Sequence, residues 1–204
     1  MPIEQKSVEK FALVGPASVG KTTMTGLLRN RFAGDPRVQL VDEAAKIFFE
    51  SQPGIPGKSL PVQERLQDFV WTREKTAANQ PGAKVVIADR SVIDPVVYTR
   101  MYDTREHADR LLERVAEWLP TYTSFVLLNP AGVPDDPRPA RLETADERFA
   151  LYDRFGEFCV EQSLPYVEVS GTLPERSDTI QRVIFENVCD KTIFGNIDNN
   201  PGSV

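Results

Sequence analysis

The sequence is poor in the residues that build metal and hydrolase sites: two cysteines, Cys159 and Cys189, and one histidine, His107, in 204 residues. Zinc chemistry and a Ser-His-Asp hydrolase are both poorly supported by so few donors. His107 sits in a charged stretch, Asp103 to Arg110, and reads as a solvated surface side chain. Cys159 falls inside an apolar helical pattern and reads as a buried structural thiol. Long apolar runs are also missing. Val85-Val86-Ile87-Ala88 spans a few residues, whereas a membrane-spanning helix needs about 20. Met1 to Lys10 carries no apolar stretch of the kind a secretory signal uses, so a cytoplasmic location is expected. Basic charge is in deficit too, with 24 Lys and Arg against 30 Asp and Glu. The net charge of −6 argues against a nucleic-acid-coating role, which needs a basic face.

What is present is an ordinary globular composition, 41% apolar and 26% charged, in a length that one core can support. Apolar strand-like runs alternate with helical patterns, which predicts an α/β domain with a parallel sheet covered by helices on both faces. Strands are expected at Phe11–Val14, Val38–Val41, Lys84–Ala88, Ser124–Leu128 and Pro165–Val169. Helices are expected from about Gly20 to Phe32, Glu43 to Glu50, Pro61 to Gln80, after Asp94-Pro95, Thr104 to Leu119, Glu143 to Gln162 and Pro174 to Val188. The breaker-rich segments Ser51–Leu60 and Asn129–Arg141 read as loops. There is no internal repeat. Residues 1–194 form one expected domain, and 195–204, rich in Asn and Gly, a flexible tail.

The informative segment is Gly15-Pro16-Ala17-Ser18-Val19-Gly20-Lys21-Thr22, which fits G-x-x-x-x-G-K-[ST] between a strand and a helix. Glycines let the backbone wrap so that successive N–H groups point at phosphate oxygens, and the helix dipole adds to that field. Lys21 is expected to reach the outer phosphates, Thr22 to ligate magnesium, and Thr23 to bind the nucleotide with the rest of the segment from Gly15. The metal also needs a carboxylate at a neighbouring strand end. Asp89, after Val85-Val-Ile-Ala88, is preferred over Asp42 because Arg90 follows it at once. An Asp capping the helix after Ser91 is the plainer alternative. Phe69, Trp71 and Tyr98 are candidates to line an acceptor pocket, although helical core packing is the commoner explanation for such aromatics.

This motif, Glu43 in Glu-Ala-Ala-Lys46, Gln67, Asp89-Arg90-Ser91, Pro134-Asp-Asp-Pro-Arg138, Arg148, Leu164–Val169 and Arg176 together resemble the NadR-like AAA-type P-loop domains. That branch of the P-loop kinases includes nicotinamide riboside kinase domains, and the likeness runs from about Phe11 to Val183. The Asp-Arg-Ser form of the second motif is closer to thymidylate and deoxynucleoside kinases. The resemblance implies a kinase-like fold with a lid and the cofactors ATP and Mg2+. It further implies that Glu43 orients or deprotonates an acceptor hydroxyl, that Arg90 neutralises phosphoryl charge, and that Arg138 and Arg141 close over ATP. Glu43 also suits a helix N-terminus, and Arg141 a solvated surface.

Phosphoryl transfer from ATP to a small-molecule acceptor of nucleoside- or nucleotide-like kind is therefore the leading expectation. A guanine-reading Asn-Lys-x-Asp is absent, since Asn129-Pro-Ala-Gly follows the fourth strand. The alternative is a nucleotide-hydrolysing switch that acts on a partner protein or lipid. A remodelling ATPase would need a further helical domain for which this length leaves no room.

Overall fold

Stretches such as Val85–Asp89 and Ser124–Leu128 are apolar at every position in between, which suits strands covered on both faces. In the computed structural model, which describes residues 8–55, 57, 59–133 and 143–194, five strands form one parallel sheet. They are β1 (Glu9–Val14), β2 (Val38–Val41), β3 (Val85–Asp89), β4 (Ser124–Leu128) and β5 (Tyr166–Val169), in the order β2-β3-β1-β4-β5. Seven helices join them: α1 (Lys21–Arg31), α2 (Ala44–Ser51), α3 (Leu60–Ala78), α4 (Asp94–Tyr102), α5 (Arg105–Val115), α6 (Ala145–Glu161) and α7 (Leu173–Asn187). The expected strand and helix order is therefore found, with ends shifted by a few residues. The main difference is after α5, where the expected helix to Leu119 breaks into a separate short turn, Leu119–Thr121, around Pro120. Residues 195–204, expected as a tail, lie outside the described residues.

The helix ends follow from local chemistry. Thr144 with Glu147, and Thr172 with Glu175, make reciprocal capping boxes on α6 and α7. Pro61 and Pro95 sit in the first turns of α3 and α4, where a missing N–H costs nothing.

Alternation along β1 divides the core. Ala12 and Val14 face a layer built from α2 to α6, with Phe48, Leu66, Val96, Phe155 and Phe158. Phe11 and Leu13 face the other layer, α1 and α7, with Met24, Leu28, Ile180 and Ile184. Burying each of the larger side chains among these contributes roughly 1.5–3 kcal/mol. β1 pairs with β3 so that Leu13 lies opposite Asp89, and with β4 so that Val14 lies opposite Leu127. The chain leaves β1 towards β2 on one side, then crosses from β3 to β4 on the other. The carboxyl ends of β1 and β3 thus open at a topological switch point, where ligands bind in such sheets. Among the described residues no helix is long and apolar enough to cross a membrane.

Candidate active site

The turn after β1 is shaped by three left-handed residues in six. Gly15 has φ 130°, Ser18 φ 64° and Gly20 φ 90°. A Cβ on Gly15 would lie 3.0 Å from the Leu128 carbonyl oxygen, so a side chain there would press on β4. Alternation of right- and left-handed residues turns successive N–H groups inward as an anion nest. No side chain caps α1 at Gly20 and no acidic residue stands in its first turn, so its positive end is left for a ligand.

Lys21 begins α1 and is only 5% exposed. Its ammonium donates to the carbonyls of Gly15 at 2.9 Å and Pro16 at 2.6 Å. Burial, then the neighbouring Arg90 charge, pulls its pKa down to about 8. Thr22 donates from Oγ1 to Asp89 Oδ2 at 2.8 Å, and Glu43 Oε2 lies 3.5 Å from the same hydroxyl. Asp89 ends β3. Its other oxygen, Oδ1, is buried with no hydrogen-bond partner among the described residues, and burial pushes its carboxyl pKa upward. Asp42 points elsewhere: its side chain is 59% exposed and pairs with Arg29. Thr23 lies exposed on the first turn of α1.

Arg90 follows Asp89 with φ 72°, uncommon for a non-glycine residue. Its guanidinium donates from Nε to Glu43 Oε1 at 2.9 Å and from Nη1 to Asp94 Oδ1 at 3.1 Å. Asp94 also accepts from the Ser91 N–H at 2.8 Å and the Ser91 hydroxyl at 3.1 Å. The carboxylates and the buried setting act on each other. Burial pushes Glu43 upward, but Arg90, Lys21 and Lys46 outweigh it and hold Glu43 below its ordinary value.

Beyond the cradle lies a pocket of about 280 Å³, walled among others by Ala17, Glu43, Phe49, Arg90, Tyr98 and Glu143. Of the three aromatics expected at an acceptor pocket, Tyr98 lines this pocket. Phe69 and Trp71 are not in the wall: Phe69 packs on Phe48 at 5.9 Å and Trp71 on Trp118 at 5.8 Å, both inside the helical layer. Phe49 takes their place. Gln67 is likewise structural, donating from the core to the carbonyls of Val92 and Leu111. Arg138 and Arg141 lie outside the described residues.

Three residues at the site escape sequence reasoning in the roles they take. Glu143 accepts from the Ala17 N–H at 2.9 Å and from the Tyr98 hydroxyl at 2.7 Å. Asp94 holds Arg90. Arg176, nearly buried, donates to the carbonyls of Gly171, Val19 and Ala131 at 2.7, 3.2 and 3.1 Å. It ties the nest to the loops that follow β4 and β5. An arginine at a helix start carries no local signal for this, because two of its three partners, Val19 and Ala131, come from distant parts of the chain.

The remaining rare residues match their plain readings. His107 is exposed and pairs with Asp103 at 2.7 Å. Cys159 is buried, and burial pushes its thiol up to about 12. Among the described residues no cluster of three or more His, Cys, Asp or Glu forms a metal cage.

A family model described as an AAA domain matches residues 10–176. Among solved structures, the chain is similar to NadR protein in complex with NR, at TM-score 0.70 and 18% identity over 89% of this chain and 52% of that one. NadR protein in complex with NAD and AMP-PNP gives TM-score 0.66 and 17% identity over 88% and 49%. Thymidylate kinase from Ehrlichia chaffeensis gives 0.59 and 14% over 87% and 99%. At these identities the likeness is one of fold. The chain spans about half the length of the NadR structures it matches. No curated relative matches it in sequence. With the nest, Lys21 and the sheet order in place, the chain belongs to the AAA domain family and has the fold of a P-loop kinase.

Proposed function

We propose that this chain binds Mg-ATP in the cradle and transfers its terminal phosphoryl group to a hydroxyl-bearing small molecule in the adjoining pocket. The observation that carries the proposal is the junction at Ala17. It belongs to the nest and also to the pocket wall, and Glu43 reaches towards Thr22 while lining the same pocket. Donor and acceptor places thus meet at one point, as positioning of a phosphoryl transfer requires.

Magnesium fits the donor set. Asp89 has a buried oxygen without a partner, and its other oxygen shares Thr22. Magnesium is commonly held by one or two carboxylates plus substrate phosphates, so an all-protein cage is not needed. When bound, the ion supplies charge neutralisation to the phosphate oxygens. Thr22 and Asp89 are the residues that would hold it. Asp89→Asn keeps an acceptor for the Thr22 hydroxyl but removes the anion. Because a metal supplies several kcal/mol, turnover is expected to drop by at least about 10²-fold with the fold intact. A steady-state ADP-release assay checks this; normal turnover in Asp89→Asn beside a dead Asp42→Asn would show the wrong strand end had been chosen.

Lys21 links binding to pH. With its free-state pKa pulled down to about 8, an arriving phosphate restores the ammonium and raises that pKa. Binding therefore takes up a proton near pH 8 and weakens as pH rises through that value. Calorimetric titration of Mg-ATP near pH 8, in two buffers of different ionisation enthalpy, is expected to give different heats. Equal heats contradict the assignment.

The pocket charge narrows the acceptor. Glu43, Asp94 and Glu143 stand against Arg90 and Lys46, and Arg90 is already bonded to two of those carboxylates. Such a wall disfavours an acceptor that already carries phosphate. Phe49 and Tyr98 offer faces for a planar ring, so the acceptor class is nucleoside- or riboside-like. One of the similar structures is NadR protein in complex with NR. Adenine is the donor base proposed, because the loop after β4 runs Asn129-Pro130 with no guanine-reading sequence.

The test is a thermal-shift screen of nucleosides, ribosides and nucleoside monophosphates with a nonhydrolysable Mg-ATP analogue present. An acceptor at about 100 times its Kd should add about 2.7 kcal/mol of stability. Stabilisation by monophosphates and not by nucleosides or ribosides contradicts the acceptor class. A chain stabilised by none of them, yet whose hydrolysis is accelerated by a partner protein or lipid, is a switch.

A further inference from the structure

Glu143 has no part in building the helix it precedes. The N-terminus of α6 is closed by Thr144 and Glu147, whose reciprocal bonds are 3.2 and 2.8 Å long. The Glu143 side chain instead reaches a residue 126 positions away in sequence, placing Oε2 on the Ala17 N–H and Oε1 on the Tyr98 hydroxyl. A carboxylate is thereby seated on a main-chain N–H of the phosphate nest. Ala17 is also the one nest residue in the pocket wall among the described residues. A phosphoryl group moving from cradle to pocket passes this point as an anion. One N–H can serve one such acceptor well, and two anions side by side repel.

We propose that Glu143 is a specificity-determining residue of the donor site: it holds the Ala17 N–H in place of the terminal phosphoryl group and so sets how strongly triphosphate is preferred over diphosphate. The inference rests on the donor reading above. A diphosphate fills the deeper nest around Lys21 and leaves the Ala17–Glu143 contact untouched. A triphosphate extends to the pocket junction and must displace the carboxylate or bind beside it. Tyr98 is the second anchor, since its hydroxyl keeps Glu143 turned towards the nest, and its ring lies 5.7 Å from the Arg90 guanidinium. The arrangement restrains the empty cradle from taking a triphosphate until the pocket side is rearranged. An acceptor entering beside Tyr98 competes for the same anchor and favours that rearrangement.

Calorimetric titration of Mg-ADP and Mg-AMP-PNP into the wild-type chain, E143Q and Y98F tests this. Glutamine keeps the size and an oxygen for the Ala17 N–H but drops the charge. E143Q is expected to bind Mg-AMP-PNP about tenfold more tightly, the order expected when a charged competitor on a partly buried N–H becomes neutral. Its Mg-ADP affinity should be unchanged. Y98F, which keeps the charge and frees one anchor, should shift the ratio the same way by less. An unchanged ratio in E143Q, or weaker Mg-AMP-PNP binding, overturns the proposal, the latter showing that Glu143 supports the triphosphate. Loss of both nucleotides by a variant with a native melting curve overturns it too. A wild-type chain that binds neither nucleotide overturns the donor reading itself, a result distinct from any of these.

Discussion

Lys21→Ala should lose Mg-ATP binding by about 10²-fold while its melting curve stays close to that of the wild type. A hydrogen bond to a charged group contributes about 1.5–3 kcal/mol, and the ammonium faces several phosphate oxygens in a buried setting. What the substitution removes from the free protein is small by comparison. Lys21 gives up bonds to the carbonyls of Gly15 and Pro16, and Arg90 is relieved of a nearby like charge. The nest itself is shaped by Gly15, Ser18 and Gly20 and braced by Arg176, none of which needs the lysine. Isothermal titration of both proteins is the check. Equal affinities would mean that the phosphates lie elsewhere.

A larger effect on rate is expected from Glu43→Gln. The Arg90, Lys21 and Lys46 charges keep Glu43 ionised despite its burial, so it stands in the pocket as a hydrogen-bond acceptor for an incoming hydroxyl. Removing a proton-accepting side chain from a transferring site costs about 10²–10⁴ in rate. ATP binding should stay near normal, because the cradle holds the donor and Glu43 meets the donor side only at the Thr22 hydroxyl, 3.5 Å away, where glutamine still offers an oxygen. Arg90 keeps Asp94 as its partner, so the strand end is not left with an unpaired buried charge. An acceptor-dependent ADP-release assay, run with an acceptor found by the thermal screen, separates the two outcomes. A variant that phosphorylates the acceptor at the wild-type rate removes Glu43 from the chemistry.

The parts of this fold that could be read from the sequence are those whose causes are local. β1, the glycine-rich turn and α1 are one continuous stretch, so the outline of the nest and the helix start follow from residues 11–31, while Arg176 braces the nest from a distant helix. The prolines at 61 and 95 set helix starts for the same reason. The capping boxes at Thr144 and Thr172 are equally local and fix the starts of α6 and α7, which the apolar pattern alone put at Glu143 and Pro174. Distant pairings gave no such signal. The order β2-β3-β1-β4-β5 depends on which strand docks beside which, and apolar runs of equal length look alike. Glu143 reads as an ordinary helix-start acid, and only the folded chain shows that it meets Ala17. Phe69 and Trp71 were plausible pocket walls by residue type. The rotation of α2 and α3 decided instead that Phe49 faces the pocket while Phe69 packs on Phe48.

The central claim, transfer to a small molecule, is met most directly by following the phosphorus. The chain is incubated with magnesium, γ-labelled ATP and a pool of nucleosides and ribosides, and the products are separated. Label is expected in a new organic phosphate, its formation abolished in Lys21→Ala and reduced by about 10²–10⁴ in Glu43→Gln. Label found only as inorganic phosphate, at a rate indifferent to the pool, would contradict that claim.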